Sequence, residues 1–402
     1  MAYYFIFPEK DTTIYSHPDR TKLNAGSDEI LEIVKEKGTT NQRYYPSRVL
    51  IKFKNEEIQS IISEKIGSSI FNNGITETCL QLKTSEHKNL TDTLNLEVFA
   101  ISQSWDEGTG RFSNLPTGSN GCSWLYRDND INQSLWVSSS FTSSILNGIT
   151  TSSVSSSLSV GTTASFGPFI NLPEGGGAWF TGSEFQGAQQ FLRGDNLDTN
   201  INVTTIIQKY SSSLFSNNTY PLGIPNNGFI IKQPDSVEHD ISSSFGEMQY
   251  FSVDTHTIFP PRLAFKWDDS SHSNQSLAKQ KGELSVSLYR NQEEYNQNDE
   301  ATFRVHVRDK YPVRQFASSS NFLNAGYFTT ASYYSIRDAH TEEEIIPFDN
   351  TFTKLSSDSE GMFFKIYMKG LQPERYYRVL FKHTNNEGTT VFDNNYHFKV
   401  VR

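Results

Sequence analysis

Nothing constrains the fold of this chain more than two neighbouring segments. They are Asn202-Val203-Thr204-Thr205-Ile206-Ile207-Gln208-Lys209-Tyr210 and, after a Ser- and Asn-rich spacer, Asn226-Asn227-Gly228-Phe229-Ile230-Ile231-Lys232. Together they read as one short capped helix, a tight turn and a β-strand. In a chain otherwise dominated by strand patterns, this combination points to a β-sandwich rather than to an enzyme.

The composition agrees. Only 36% of the 402 residues are apolar, but 29 Phe and 19 Tyr favour strands, because rings pack well on a pleated face. The length allows two or three domains, each able to bury its own core. With 35 basic against 45 acidic residues the net charge is −10, which provides no electrostatic footprint for nucleic acid or an anionic membrane. The N-terminal run from Met1 to Lys10 lacks a positive n-region and is too short for a membrane span, so synthesis in a cytoplasm is expected. Cys79 and Cys122 are expected to be free thiols.

Period-2 alternation marks strands. Val49, Ile51 and Phe53 alternate with Leu50, Lys52 and Lys54, and Leu94, Leu96 and Val98 with Asn95, Glu97 and Phe99; both are expected to be half-buried. Between them, Ile58, Ile61, Ile62 and Ile66 fall at helical spacing, and Gly67 can end that helix.

From Ser138 to Ser165, 17 of 28 residues are Ser or Thr, with Ile145, Val154, Leu158 and Val160 scattered among them. A solvated loop and an extended arm that docks those four residues on a neighbour are both open readings. The polar run Asp268 to Ser276 carries no periodicity and marks a domain boundary. Beyond it Leu284, Val286 and Leu288, then Phe303, Val305 and Val307, then Phe364, Ile366 and Met368 restore the strand pattern of a second β-sandwich.

Several pieces of residues 1–267, taken in order, resemble the DNRLRE domain, a jelly-roll related to carbohydrate-binding modules. Asp11-Thr12-Thr13-Ile14-Tyr15 with Asn24-Ala25-Gly26-Ser27 resembles its opening strand and loop. Ser47-Arg48-Val49-Leu50-Ile51-Lys52-Phe53 resembles its Arg-containing strand, and Thr78-Cys79-Leu80-Gln81-Leu82 its A-x-L-x-L strand. Trp105-Asp106-Glu107-Gly108-Thr109 resembles its W-x-E-G-T turn, the 203–210 and 227–229 segments its helix and N-G-F strand, and Pro261-Arg262-Leu263-Ala264-Phe265 its closing strand. Near the C-terminus, Leu371-Gln372-Pro373-Glu374-Arg375-Tyr376-Tyr377-Arg378-Val379-Leu380-Phe381 is similar to the L-x-P-x-x-x-Y-x-V-x-V run of fibronectin type III and immunoglobulin-like domains. That likeness makes Tyr377 a tyrosine corner, with its hydroxyl bonded back near Leu371 while Val379 and Phe381 enter the core. The stretch from Tyr333 to Phe381 also resembles immunoglobulin-like segments in structural proteins of tailed phages of marine bacteria.

The resemblances imply an all-β chain. Residues 1–267 form an N-terminal jelly-roll β-sandwich with short helices and an expanded Ser/Thr-rich loop at about 113–200. Residues 268–280 are a linker, and 281–402 an immunoglobulin-like β-sandwich. They further imply a virion structural protein whose partners are other virion proteins or further copies of itself, with a host glycan as the alternative partner.

No catalytic constellation stands out. The histidines, among them His17, His239, His256, His306 and His383, show neither helical i,i+4 pairing nor clustering. Asp106 and Glu107 are adjacent, and strand neighbours point to opposite faces, so they cannot flank one glycosidic bond. A turn is the preferred role for them, and a structural calcium drawing on Asp106, Glu107, Asp128 and Asp130 is the alternative; no other cofactor is expected. The chain has no G-x-S-x-G elbow, and Gly175-Gly176-Gly177, with no Lys-Ser or Lys-Thr after it, reads as a flexible turn rather than a phosphate cradle. Trp124, Tyr126, Trp136 and Trp179 lie in Gly- and Asn-rich surroundings. An exposed ring there would stack on a sugar, and packing inside the loops is the competing role.

Overall fold

The computed structural model describes residues 2–39, 42–114, 120–130, 133–136, 175–214, 223–273, 283–289, 291–311 and 326–402. The chain is all-β with a few short helices. It divides into two compact units, the larger formed by Ile6–Ser68 and Glu77–Ala264, the smaller by Met1–Phe5, Ser69–Thr76 and Phe265–Arg402.

In the larger unit, seven strands of one sheet lie side by side in the order Gln186–Leu192, Thr93–Ala100, Phe229–Lys232, Tyr44–Lys52, Ile30–Lys37, Glu247–Phe251 and Thr84–Lys88. An eighth strand, Lys10–Tyr15, pairs with Tyr44–Lys52 from Lys10 opposite Lys52 to Tyr15 opposite Ser47. Tyr44–Lys52 is thus the hub, bordered on its other side by Phe229–Lys232 with Ile51 opposite Phe229.

Its burial corrects the half-buried expectation. Arg48, Val49, Leu50 and Ile51 are all fully buried, so both faces of the strand are covered. Thr93–Ala100 keeps its alternation over the first half, with Leu94, Leu96 and Val98 buried and Asn95 and Glu97 partly exposed. The four isoleucines after Asn55 are buried on a helix that runs Asn55–Ser60 and continues as a π-helical turn over Ile61–Ile66, and Gly67 ends it at φ +82°.

The opening feature forms as read. Asn202 caps the helix Thr204–Leu214 by accepting from the Thr204 amide at 3.0 Å, and Phe229–Lys232 is a fully buried strand. The 113–200 stretch is not all loop: Gln186–Leu192 pairs along Thr93–Ala100, and Thr199–Asn202 pairs with Thr76–Leu82.

The smaller unit is a sandwich of two sheets. One orders Leu284–Tyr289, Glu300–Asp309, Gly361–Tyr367 and Ser356–Asp358; the other orders Glu294–Asn296, Gly388–Val401, Arg375–Asn385, Ser332–Asp338 and Glu344–Ile346. Rings from both sheets interdigitate. Phe303 stacks on Phe364 at 5.2 Å, Phe364 on Tyr334 at 4.4 Å, and Phe303 meets Phe398 at 5.2 Å. Met368 is buried but lies in a 3₁₀ turn just beyond the strand whose pattern it continues. Part of the expected linker is ordered: His272 bridges to Ser357 and Ser273 donates to the Ser357 carbonyl at 3.1 Å, while 274–280 lie outside the described residues.

Candidate functional site

A fully buried ion pair lies inside the larger unit. Arg48 sits in the hub strand, and Glu238 ends the short helix Asp235–Glu238; both side chains are 0% exposed. Arg48 Nη2 donates to Glu238 Oε2 at 2.6 Å, and Nε reaches the same carboxylate at 3.1 and 3.2 Å. This bidentate match is what a planar guanidinium offers and an ammonium cannot. Nη1 donates to the Gly176 carbonyl. The guanidinium also lies over Trp124 at 4.7 Å and Trp179 at 5.0 Å from the ring centroids.

Lys232, likewise 0% exposed, donates to Asp235 at 2.6 Å and to the Gln233 carbonyl at 2.7 Å, and stands 3.6 Å from Glu238 and 4.0 Å from Glu97. Burial acts to raise the Asp235 carboxyl, but the charge and hydrogen bond of Lys232, with Arg48 adding, hold it below the ordinary range. Two cations therefore share three carboxylates, with Arg48, Lys232 and Glu238 sealed and Asp235 and Glu97 reaching solvent at 46% and 23% exposure.

Gly175, Gly176 and Gly177 wall this centre and are buried, with φ of +109°, +88° and +90°. A Cβ on Gly176 would stand 2.6 Å from Arg48 Nη1 and 2.7 Å from the Trp124 ring. The triple glycine is thus a packed wall that lets backbone approach the guanidinium, which corrects the flexible-turn reading.

The four candidate sugar platforms are interior. Trp124, Tyr126, Trp136 and Trp179 are 0%, 9%, 3% and 1% exposed. Trp136 Nε1 donates to the Ser123 carbonyl at 2.9 Å, and Trp124 and Trp179 face Arg48, so none offers the open ring face that stacking on a sugar requires. The competing packing role is the one that the geometry shows.

The acidic candidates separate as well. Asp106 joins a turn through its backbone, donating to Arg127 and accepting from Cys122, and Asp128 accepts from the Asp130 amide at 2.9 Å. Glu107 turns away to accept from the Asp11 amide at 2.9 Å. Among the described residues no group of three or more His, Cys, Asp and Glu is arranged to hold a metal ion. A calcium site built from Asp106, Glu107, Asp128 and Asp130 therefore lacks the converging oxygens it needs. Ile145, Val154, Leu158 and Val160 lie outside the described residues.

What the structure does bring together is the set of motif residues. Asn24 Nδ2 donates to the carbonyls of Glu107 at 2.6 Å and Cys122 at 2.7 Å, while its Oδ1 accepts from the Gly110 amide at 2.7 Å. Trp105 Nε1 donates to the Asn227 carbonyl at 2.8 Å, and Lys10 lies over its ring. Asp11 accepts from the Val253 amide at 2.8 Å. Burial drives the Asp11 carboxyl well above its usual range; the Val253 bond opposes this, and the charges of Glu107 and Asp254 add to it. Burial likewise pushes Glu107 up to about 7. Cys79 and Cys122 are buried thiols outside any disulfide, and burial raises the Cys122 thiol far from reactivity.

In the smaller unit Tyr377 is buried, and its hydroxyl donates to the Gln372 carbonyl at 2.9 Å, the tyrosine-corner bond, with Val379 and Phe381 in the core. Sequence reasoning missed Glu238 and Lys232. Their signal is a lone Arg inside an apolar strand, which demands a buried acid somewhere in the chain. Comparison with protein-family models, with curated proteins and with solved structures finds no match.

Proposed function

We propose that this chain is a non-enzymatic virion structural protein of a tailed phage, a jelly-roll followed by an immunoglobulin-like module, serving assembly or decoration on capsid, neck, tail or baseplate. One observation carries this reading: the charged and aromatic residues most suited to chemistry, Arg48, Lys232, Glu238, Trp124 and Trp179, are enclosed and bonded to one another. They stiffen a scaffold and leave recognition to its surfaces. The motif pieces behind the jelly-roll likeness are mutual hydrogen-bond partners, and Tyr377 makes the bond that the immunoglobulin likeness implies. Partners would be other virion proteins, with self-association as a further mode. Sugar binding through the loops of the larger unit is the weaker alternative, because its aromatic residues are buried.

The arm reading of residues 138–165 belongs to this function, since ordering such a segment needs Ile145, Val154 and Leu158 buried on a partner to offset its conformational entropy. Mass spectrometry and cryo-electron microscopy of purified particles should find the chain at fixed stoichiometry beside another virion protein. Deleting 138–165 should impair assembly and leave both units folded. Particles free of the chain would refute the reading.

A further inference from the structure

Strand Gln186–Leu192 ends its sheet, and among the described residues no strand borders its outer side. It runs in unbroken register beside Thr93–Ala100, from Gln186 opposite Phe99 to Leu192 opposite Thr93. The Arg193 amide extends the ladder by donating to the Asp92 carbonyl at 3.0 Å. Antiparallel alternation therefore turns the backbone groups of Gly187, Gln189 and Phe191 toward Thr93–Ala100, and those of Gln186, Ala188, Gln190 and Leu192 to the open edge. Asp195 already accepts from the Leu192 amide at 2.8 Å, so among the described residues Gln186, Ala188 and Gln190 keep both backbone groups to offer.

The opposite edge of the same sheet is protected. Strand Thr84–Lys88 carries Glu86, His87 and Lys88, all exposed, and its register slips against Glu247–Phe251. Charges and bulges of this kind keep a sheet edge from pairing with another chain. Gln186–Leu192 has neither, nor a proline, and Ala188, Gln190 and Leu192 stand exposed along it. Its ends identify the partner. Glu184 precedes the strand, half-buried, and Arg193, 85% exposed, follows it. A second copy running antiparallel reverses these ends, so that each Arg193 comes beside the partner's Glu184. A two-fold axis at the small Ala188 sets that residue against itself and Gln186 against the partner's Gln190. Every uncapped outward residue is then used, with two bonds for each of three opposed pairs, about six in all.

We propose that Gln186–Leu192 is a dimerisation edge, pairing antiparallel with the same strand of a second copy about a two-fold axis at Ala188. The pairing gives self-association a surface and does not depend on the virion reading, because it is measured on the purified chain. Sedimentation of the full chain from micromolar to millimolar concentration tests it, at about 0.15 M salt, where the net charge of −10 on each copy is screened. A dimer should form. Gln190→Pro removes an outward amide and no bond to Thr93–Ala100, so thermal unfolding should change little. The dimer should weaken about tenfold or more, for one bond lost from each copy. If that variant fails to fold, charge reversal decides: Arg193→Glu and Glu184→Arg should each weaken the dimer, and the two combined should restore it. Register is read by oxidation. Ala188→Cys should form a disulfide with itself, since opposed residues lie about 5.5 Å apart, whereas Gln186→Cys should do so only when mixed with Gln190→Cys. Cys79 and Cys122 are buried and do not compete. A chain that stays monomeric throughout, or a dimer indifferent to both Gln190→Pro and charge reversal, would overturn the proposal. So would Gln186→Cys joining to itself as readily as Ala188→Cys.

Discussion

Tyr210 donates its hydroxyl to the carbonyl of Gly228 at 2.6 Å, tying the helix Thr204–Leu214 to the turn that opens strand Phe229–Lys232. Around this bond the Tyr210 ring meets Phe229 edge-on at 5.7 Å, and Asn226 clamps the turn by bonding the Phe53 carbonyl at 3.0 Å. Gly228 has φ +94°, and a Cβ there would lie 2.3 Å from the Ile51 carbonyl oxygen. The Gly228 carbonyl also accepts from the Ile101 amide at 2.9 Å, so it is not orphaned if the tyrosine hydroxyl goes. Tyr210→Phe should therefore cost only about 0.5–1.5 kcal/mol, and Tyr210→Ala about 3–5 kcal/mol through its cavity. Urea unfolding of the two variants measures both, and equal losses would mean that the hydroxyl, not the ring, fixes the helix.

The Arg48–Glu238 pair sets a different expectation. Both side chains are fully buried, so removing either charge takes away the other's hydrogen-bonded counterion, leaving Glu238 only Lys232 at 3.6 Å and Arg48 only the Gly176 carbonyl. Arg48→Met should destabilise by about 3–5 kcal/mol, and Glu238→Leu comparably. The double variant should fall well short of the sum, since no lone charge of the pair remains. Additive losses in a double-mutant cycle would show that the ion pair is not the coupled unit described above.

Much of this was legible from local patterns, because local patterns follow from local physics. A capping Asn and helical spacing announce the helix at Thr204, and alternation announces Thr93–Ala100. Legibility fails where the determining partner is distant. Arg48 and Glu238 are 190 positions apart, and nothing near either names the other. Strand Gln186–Leu192 hides because its inward positions include Gly187, where Asn202 backbone approaches within 2.5 Å of a would-be Cβ, among polar Gln side chains. The loop tryptophans read equally well as platforms or plugs until their burial is known.

Gly176→Ala tests the packed wall. The added methyl would have to displace Arg48 or the Trp124 ring at a φ of +88°. A positive φ alone costs a non-glycine residue of order 1–3 kcal/mol, and the steric conflict adds to that. Thermal unfolding should show a marked fall in Tm, whereas Gly194→Ala, also at positive φ but with nothing near its Cβ, should show only the conformational part. Equal shifts would remove the case for close packing at Gly176.

The carboxyls at the W-x-E-G-T turn give stability an unusual pH dependence. Burial raises Glu107 from an ordinary 4.5 to about 7; the Asp11 amide bond and Lys10 oppose this, and Asp254 and Asp106 add to it. Asp11 is raised in the same direction. A carboxyl whose folded pKa exceeds its unfolded value binds its proton more tightly in the native state. Its contribution is therefore complete below the unfolded pKa and is lost as pH rises through the folded one. For Glu107 the window runs from about 4.5 to about 7. Asp198, Asp235 and Asp240 are shifted the opposite way, and their losses fall at more acid pH, below the ordinary carboxylate value of 3.8. Glu107 thus contributes a decline in unfolding free energy between pH 5 and 7, against a rise from His239, His272 and His383, which burial holds below the ordinary imidazole value of 6.5. Glu107→Gln keeps a neutral acceptor for the Asp11 amide and should flatten that decline while leaving the acid limb unchanged. Wild-type and Glu107→Gln profiles that run parallel across this interval would contradict the burial assigned to Glu107.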